Sequence, residues 1–265
     1  MISAGTRYVM GTLLHVETEA AGPDAAARAR DLIFAEIQRL EGVLSRFRPD
    51  SEISRVNRAA GVAPANVGPE AYAAIAQALD FARASGGAFS PVAGGDHLGV
   101  RLDPVARTIF LPASGTSLDL GGIGKGFALD RAMQRVLESG ELERAFIDFG
   151  GQLLFWTRDG RPGPLKVAIE DPARPGAILA DFEIRSNCSV STSSQAERPG
   201  HLVDRRTGLP AERAASVTVA APSAAEAEAW STALFVAGGE GLELLRNRPD
   251  VRVFLFPNAK TPEPV

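Results

Sequence analysis

The sequence has a single cysteine, Cys188, only three histidines (His15, His97 and His201) and only three lysines (Lys125, Lys166 and Lys260). One cysteine excludes an internal disulfide framework and a cysteine-rich zinc site. It lies in a Ser/Asn stretch and reads as an inert thiol. The shortage of lysine beside plentiful arginine and alanine looks like coding bias. A net charge of -4 gives no reason to expect nucleic acid or an anionic membrane as partner. No apolar run approaches the roughly 20 residues that cross a bilayer. The opening MISAGTRYVMGTLLHVETEA has no basic region followed by an apolar core, so no signal peptide is read there. A cytoplasmic protein is expected, or a periplasmic one if an export signal has been removed.

What remains is ordinary for a globular chain: 265 residues, 45% hydrophobic and 23% charged. That length buries a full core without staples. An opening strand is expected over Val9 to Thr18. A helix follows from Asp24, read as its N-cap, to about Phe47, with Leu32, Ile33, Ile37, Leu40 and Leu44 at helical spacing. A second helix is expected from Pro69 to Ala84, stopped by Ser85-Gly86-Gly87. Leu118 to Ile123 reads as a strand leading into a helix from Gly126 to Glu138. Further strands are expected at Ala145–Phe149, Pro164–Ile169, Ile178–Ile184, Val217–Ala220 and Val251–Phe256. Ser186 to Gly208 reads as polar and irregular. Ser223-Ala-Ala-Glu226 is a capping box opening a helix to Ala237. The proline-rich tail from about residue 257 is expected to fray. Strands and helices mix without strict alternation, which favours α+β over a doubly wound sheet. One compact domain over 1–265 is expected, with room for two lobes.

Three segments carry chemistry. In Asp119-Leu-Gly-Gly-Ile-Gly-Lys-Gly126 a strand gives way to glycines and then a helix. Backbone N–H groups at such a helix start face an anion, and Lys125 adds a cation. The spacing fits neither the P-loop nor the dinucleotide fingerprint, so a plain glycine turn stays open as a reading. In Glu228-Ala-Trp-Ser-Thr232 a carboxylate and a hydroxyl four residues apart share a helix face. Such hard oxygens suit Mg²⁺, while a solvated Glu is the commoner case. In Gly200-His-Leu-Val-Asp-Arg-Arg-Thr-Gly-Leu-Pro210, His201 and Asp204 lie close. A histidine oriented by a carboxylate takes a proton near neutral pH, and Arg206 is a candidate phosphate binder. A surface histidine is the alternative.

Taken in order, these segments resemble the ApbE family, the FAD:protein FMN transferases. The likeness begins at Met10-Gly-Thr12 and runs through Ser45-Arg-Phe-Arg-Pro-Asp-Ser-Glu-Ile-Ser-Arg-Val-Asn57 and Gly86-Gly-Ala-Phe89. It continues through Asp119–Gly126, Gly150-Gly151, His201–Pro210 and Ser231-Thr-Ala-Leu-Phe235, so it spans about Val9 to Phe256. The resemblance implies FAD contacts at Met10, Phe47, Ala88, Phe89, Ser90, Asp119, Lys125 and Leu202. It implies a Mg²⁺ site at the Gly122 carbonyl, Glu228, Ser231 and Thr232. His201, with Asp204, would activate the hydroxyl of a threonine or serine on an acceptor protein, typically a redox or electron-transport subunit. With water as acceptor the same site is a FAD pyrophosphatase, and a FAD-binding protein with little catalysis is a third reading. The chain departs from the family pattern at Glu228 (usually Asp), Ser90 (usually Asp), Arg205 (usually Pro) and Ser194 (usually Gly).

Overall fold

The computed structural model describes residues 1–161, 163–195, 200 and 202–258. In chain order, β1 (Ile2–Val9) and β2 (Thr12–Ala20) are followed by α1 (Pro23–Leu44) and α2 (Glu52–Arg58). Next come β3 (Ala65–Asn66), α3 (Pro69–Ala84), β4 (Val92–Ala93), β5 (Arg101–Asp103), β6 (Thr108–Phe110) and β7 (Ser117–Leu118). Then α4 (Gly124–Leu137), β8 (Leu142–Phe149), β9 (Gln152–Thr157), β10 (Leu165–Glu170), β11 (Ile178–Ile184) and β12 (Cys188–Ser194) follow. The chain closes with β13 (Val203–Asp204), β14 (Leu209–Pro210), β15 (Ala214–Ala221), α5 (Ala224–Ala237) and β16 (Arg252–Pro257).

One seven-stranded sheet, ordered β1-β2-β8-β9-β12-β15-β16, organises these elements. Every pairing in it is antiparallel. Successive strand residues face opposite sides, and burial follows that rule: Leu154 and Val219 enter the main core, whereas their neighbours Phe155 and Ala220 enter a second cluster. The main core lies under α1, α3, α4 and α5. The second forms where the β10–β11 hairpin packs Val167, Ile169, Phe182 and Ile184 against the other side of the sheet. Antiparallel strands with helices on one face make this an α+β fold. Both cores share one sheet, so the expected room for two lobes is taken up by a single domain.

α3 and α5 run over the expected residues. Several other expectations are corrected. α1 starts at Pro23 with Gly22 as its cap, not at Asp24, and it ends at Leu44 because Ser45 is already extended. Proline at the first helical position needs no N–H partner, so Asp24 serves only the first turn. α2 was not foreseen; Ser51 caps it by accepting the Ser54 N–H at 3.0 Å. β1 and β9 were also not read from the sequence. α4 begins two residues before Gly126, and the strand expected through Ile123 stops at Leu118, where the glycine turn begins. Within the stretch expected to be irregular lies β12, a central strand. It is polar because its serines use their hydroxyls locally: Ser189 donates to the Leu153 carbonyl at 2.6 Å, and Thr192 bonds Thr218 at 2.8 Å. Ser194 pairs with Ser216 in this strand. Among the described non-glycine residues only Met10 and Arg107 have positive φ, so the usual glycine is not required at Ser194. Cys188 opens β12 half-buried, and burial pushes its thiol up to about 11, as an inert thiol requires. β16 runs to Pro257, one residue past the expected strand, and residues 259–265 of the tail expected to fray lie outside the described residues.

The first turns of α4 and α5 touch at Gly126. A Cβ there would lie 2.6 Å from the Ala225 nitrogen and closer still to the Ala224 carbonyl. Gly126→Ala is therefore expected to destabilise the protein by about 1–3 kcal/mol, since backbone cannot move aside as a flexible side chain would. Thermal unfolding of the variant measures this; an unchanged midpoint would mean the helices do not meet there.

Candidate active site

The centre of the site is the glycine turn between β7 and α4. Its entry is fixed by Asn57, the last residue of the Ser45–Asn57 stretch. Asn57 accepts the Leu118 N–H at 2.6 Å and donates to the Leu118 carbonyl at 3.0 Å, so it stands in for a neighbouring strand. On the other side β7 pairs with β4, and the Asp119 N–H donates to the Pro91 carbonyl at 2.8 Å. Sequence reasoning quoted Asn57 only as part of a motif; its amide side chain was the available signal.

Asp119 leaves this anchored strand with its carboxylate shared. Oδ1 accepts the Gly121 N–H at 3.0 Å and faces Arg46 Nε at 3.3 Å, while Oδ2 accepts from Arg205 Nη2 at 3.1 Å. The Arg46 guanidinium also lies 4.4 Å from the ring centroid of Phe47. Phe47 is 80% exposed, an apolar ring with one face presented to solvent.

Gly122 meets two other expected site residues. A Cβ on it would lie 3.2 Å from Phe89 and 3.2 Å from the Thr232 hydroxyl. Phe89 is held by Ser85, whose hydroxyl accepts the Phe89 N–H at 3.1 Å and folds the Gly86–Phe89 turn back onto α3. Ala88 is buried beside it, and the Ser90 hydroxyl accepts the Val92 N–H at 3.2 Å. Thr232 and the terminal Ala237 are the α5 residues that escape full burial, so the Thr232 hydroxyl is that helix's outlet to the turn.

Glu228 is only 3% exposed. Its carboxylate takes an ion pair from Lys125 through Oε1 and the Gly126 N–H at 2.8 Å through Oε2. Ile123, at the N-cap of α4, offers no side-chain cap, so Glu228 supplies one from across the site. Ser231 is fully buried and bonds Ser193 at 2.9 Å, Ser191 at 3.3 Å and the Glu228 carbonyl at 3.0 Å. Its hydroxyl thus ties α5 to β12 and does not stand with Thr232 at the turn.

Met10 lies further along, in the two-residue turn between β1 and β2. Its φ of 49° and that of Gly11, 80°, match the primed hairpin turns. The Met10 N–H donates to Glu41 at 2.7 Å, tying it to the end of α1 that delivers Phe47. Leu202 packs on the main core, and its carbonyl accepts from the Ala211 N–H at 2.9 Å. Asp204 is taken by Arg206, through Nε at 2.8 Å and Nη2 at 2.7 Å. These bonds hold the Asp204 carboxyl below the usual carboxylate range. Arg206, expected as a phosphate binder, is thus occupied with a neighbour. His201 lies outside the described residues. Arg46 and Arg205 were missed as partners of Asp119. Among the described residues, no group of three His, Cys, Asp or Glu stands together as a metal cluster.

The chain belongs to the ApbE family, whose model matches residues 10–97 and 93–255. It is 33% identical to the FAD:protein FMN transferase of Treponema pallidum over 95% of this chain and 84% of the relative. The enzyme of the same name from Salmonella typhimurium is 26% identical over 93% of this chain and 82% of the relative. An ApbE protein crystal structure from Thermotoga maritima superposes with a TM-score of 0.85 at 25% identity, over 97% of this chain and 94% of that one. The apo flavinyl transferase ApbE of Pseudomonas stutzeri shares the fold, with a TM-score of 0.80 at 22% identity over 96% and 90% of the two chains.

The Asp204–Arg206 pair gives a pH test. A carboxyl whose folded pKa is depressed stabilises the fold above its unfolded value, and that contribution fades as pH falls through the folded value. Arg206→Ala is expected to cost about 1 kcal/mol at neutral pH, since the guanidinium is largely solvated. In urea unfolding the gap to wild type should shrink below about pH 4. A gap independent of pH would assign Arg206's contribution to packing against Gly87 instead.

Proposed function

We propose that this protein is a FAD:protein FMN transferase, which cleaves FAD and joins FMN to a threonine or serine of an acceptor protein, releasing AMP. The observation that carries the reading is the convergence on one glycine turn of Asp119, Gly122, Phe89, Lys125, Glu228 and Thr232. These come from three separated sequence segments, within a chain whose relatives of that name match it almost end to end.

In the reaction the acceptor hydroxyl attacks the FMN phosphorus. A new O–P bond forms, the bond to the AMP oxygen breaks, and the hydroxyl proton passes to a base. By sequence resemblance that base is His201. The glycine turn suits the diphosphate because it carries no side chain to obstruct it and opens a helix N-terminus. Phe47 offers an exposed ring for stacking against a flavin or adenine. Lys125 sits beside the same turn, where its ammonium can share its charge between Glu228 and a phosphate oxygen.

The donors present fit Mg²⁺. They are all oxygens: the Glu228 carboxylate, the Thr232 hydroxyl and the Gly122 carbonyl. A carboxylate has about four lone-pair sites, and Glu228 uses two, so it retains capacity for a cation. A bound Mg²⁺ would neutralise charge building on the departing phosphate. Ser231 contributes by fixing α5 on β12.

Incubation with FAD and Mg²⁺, with and without an acceptor carrying a flavinylatable threonine or serine, tests the reading. AMP together with protein-bound FMN is the expected product pair. AMP with free FMN throughout would make the protein a pyrophosphatase, and FAD recovered intact throughout would make it a binding protein. His201→Ala should abolish AMP release while FAD still binds. Thr232→Val should raise the Mg²⁺ concentration for half-maximal AMP release at least about tenfold, the worth of one oxygen contact to a charge. An unchanged Mg²⁺ response would remove Thr232 from the ligand set.

A further inference from the structure

The β13–β14 hairpin reaches the glycine turn through one side chain that the family pattern does not supply. Arg205 lies in its connecting turn, where the Thr207 and Gly208 N–H groups both donate to the Asp204 carbonyl. Its guanidinium extends to Asp119 Oδ2 at 3.1 Å. The next residue, Arg206, turns to Asp204 and lies 3.7 Å from where a Cβ on Gly87 would stand. The two neighbouring arginines therefore pin the hairpin on two sides, at the glycine turn and at the end of α3.

Asp119 would keep much of its orientation without Arg205. The Gly121 N–H and Arg46 hold Oδ1, and Arg46 is itself backed by the Phe47 ring. The hairpin, by contrast, has Arg205 as its ion-paired link to the turn. A half-buried, solvent-screened pair of this kind contributes little stability as a rule. Its weight lies in placement, because β13 begins two residues after His201, which the family resemblance names as the acceptor's activator.

We propose that Arg205 is a positioning residue: acting through Asp119, it clasps the β13–β14 hairpin, which follows His201 in the sequence, to the glycine turn that would take the diphosphate, and so governs the rate of transfer. This rests on the transferase reading. A displacement of about 1 Å costs on the order of a hundredfold in rate when geometry carries the catalysis. Losing the clasp should thus lower kcat and leave FAD affinity nearly intact.

The test compares wild type, Arg205→Ala, Arg205→Lys, Asp119→Ala and the Arg205→Ala/Asp119→Ala double variant. FAD affinity is read by flavin fluorescence without acceptor, kcat by AMP release, and backbone opening by hydrogen exchange over residues 202–210 without flavin. Arg205→Ala should reduce kcat at least about tenfold, keep the FAD Kd within about twofold of wild type, and speed exchange in the hairpin. Arg205→Lys should recover most of the rate. Adding Arg205→Ala to Asp119→Ala should cost nothing further. An unchanged kcat overturns the proposal. So does a weakened Kd with normal kcat, which would make Arg205 a direct ligand contact, or an equal loss in both backgrounds. If wild type releases no AMP, the transferase reading fails instead. Exchange then decides the clasp alone: faster exchange in both Arg205→Ala and Asp119→Ala supports it, and unchanged exchange overturns it.

Discussion

The site rests on two helices that cap each other. Asp130, on α4, accepts the N–H groups of Ala224 at 2.8 Å and Ala225 at 3.0 Å and the Ser223 hydroxyl at 2.9 Å, all at the start of α5. Glu228, on α5, accepts the Gly126 N–H at the start of α4. Each helix thus supplies the carboxylate that satisfies the other's orphan donors, and each carboxylate sits at the positive end of a helix dipole. Burial raises the pKa of Asp130 even against its three hydrogen bonds, so this exchange costs desolvation on one side. The arrangement needs the two helix starts in contact, which only a glycine at position 126 permits.

From that contact the rest of the site follows. With the α4 start held against α5, the turn before it is carried to Thr232, the polar outlet of an otherwise buried helix. A helix buried nearly all round needs apolar or small neighbours, and β12 provides serines that let α5 approach while satisfying one another's hydroxyls. The polarity of β12 and the burial of Ser231 are two sides of one packing solution. Its position also explains why Ser231 and Thr232, adjacent in sequence, face different tasks.

Legibility in the sequence tracks how local each cause is. α3 was readable because Pro69 opens it and glycines close it, and α5 because Ser223 caps it, accepting the Glu226 N–H at 3.2 Å. The returning half of that box was not to be seen: Glu226 instead pairs with Arg248 far along the chain. β12 was hidden because serine has little strand propensity, and only burial between β9 and β15 makes it a strand. In the site, the helical spacing of Glu228 and Thr232 placed both beside the turn. The partners of Asp119 escaped, since Arg46 and Arg205 are distant in sequence and carry no periodic signature. Arg205 stood out only as a departure from the family's proline.

Each of the three carboxylates around the turn is already paired, with one cation in excess, before any substrate is considered. Arg46 and Arg205 face Asp119, Lys125 faces Glu228, and Arg206 faces Asp204. A diphosphate carries more negative charge than that single excess, so beyond it the ligand must draw a cation away from a carboxylate or bring positive charge with it. Drawing Lys125 away would strand a carboxylate that is 3% exposed, and an unpaired buried charge is costly. A divalent cation bound with the diphosphate would remove that conflict, because Glu228 would keep a positive partner while Lys125 was shared with phosphate. The same reasoning separates Asp119 in the turn from Glu228 on α5. Asp119 is shared by two guanidinium groups and a backbone N–H, so it can release one partner and remain paired. Glu228 is bound into the cap of α4, and what happens to its charge is felt by the helix start on which the glycine turn depends.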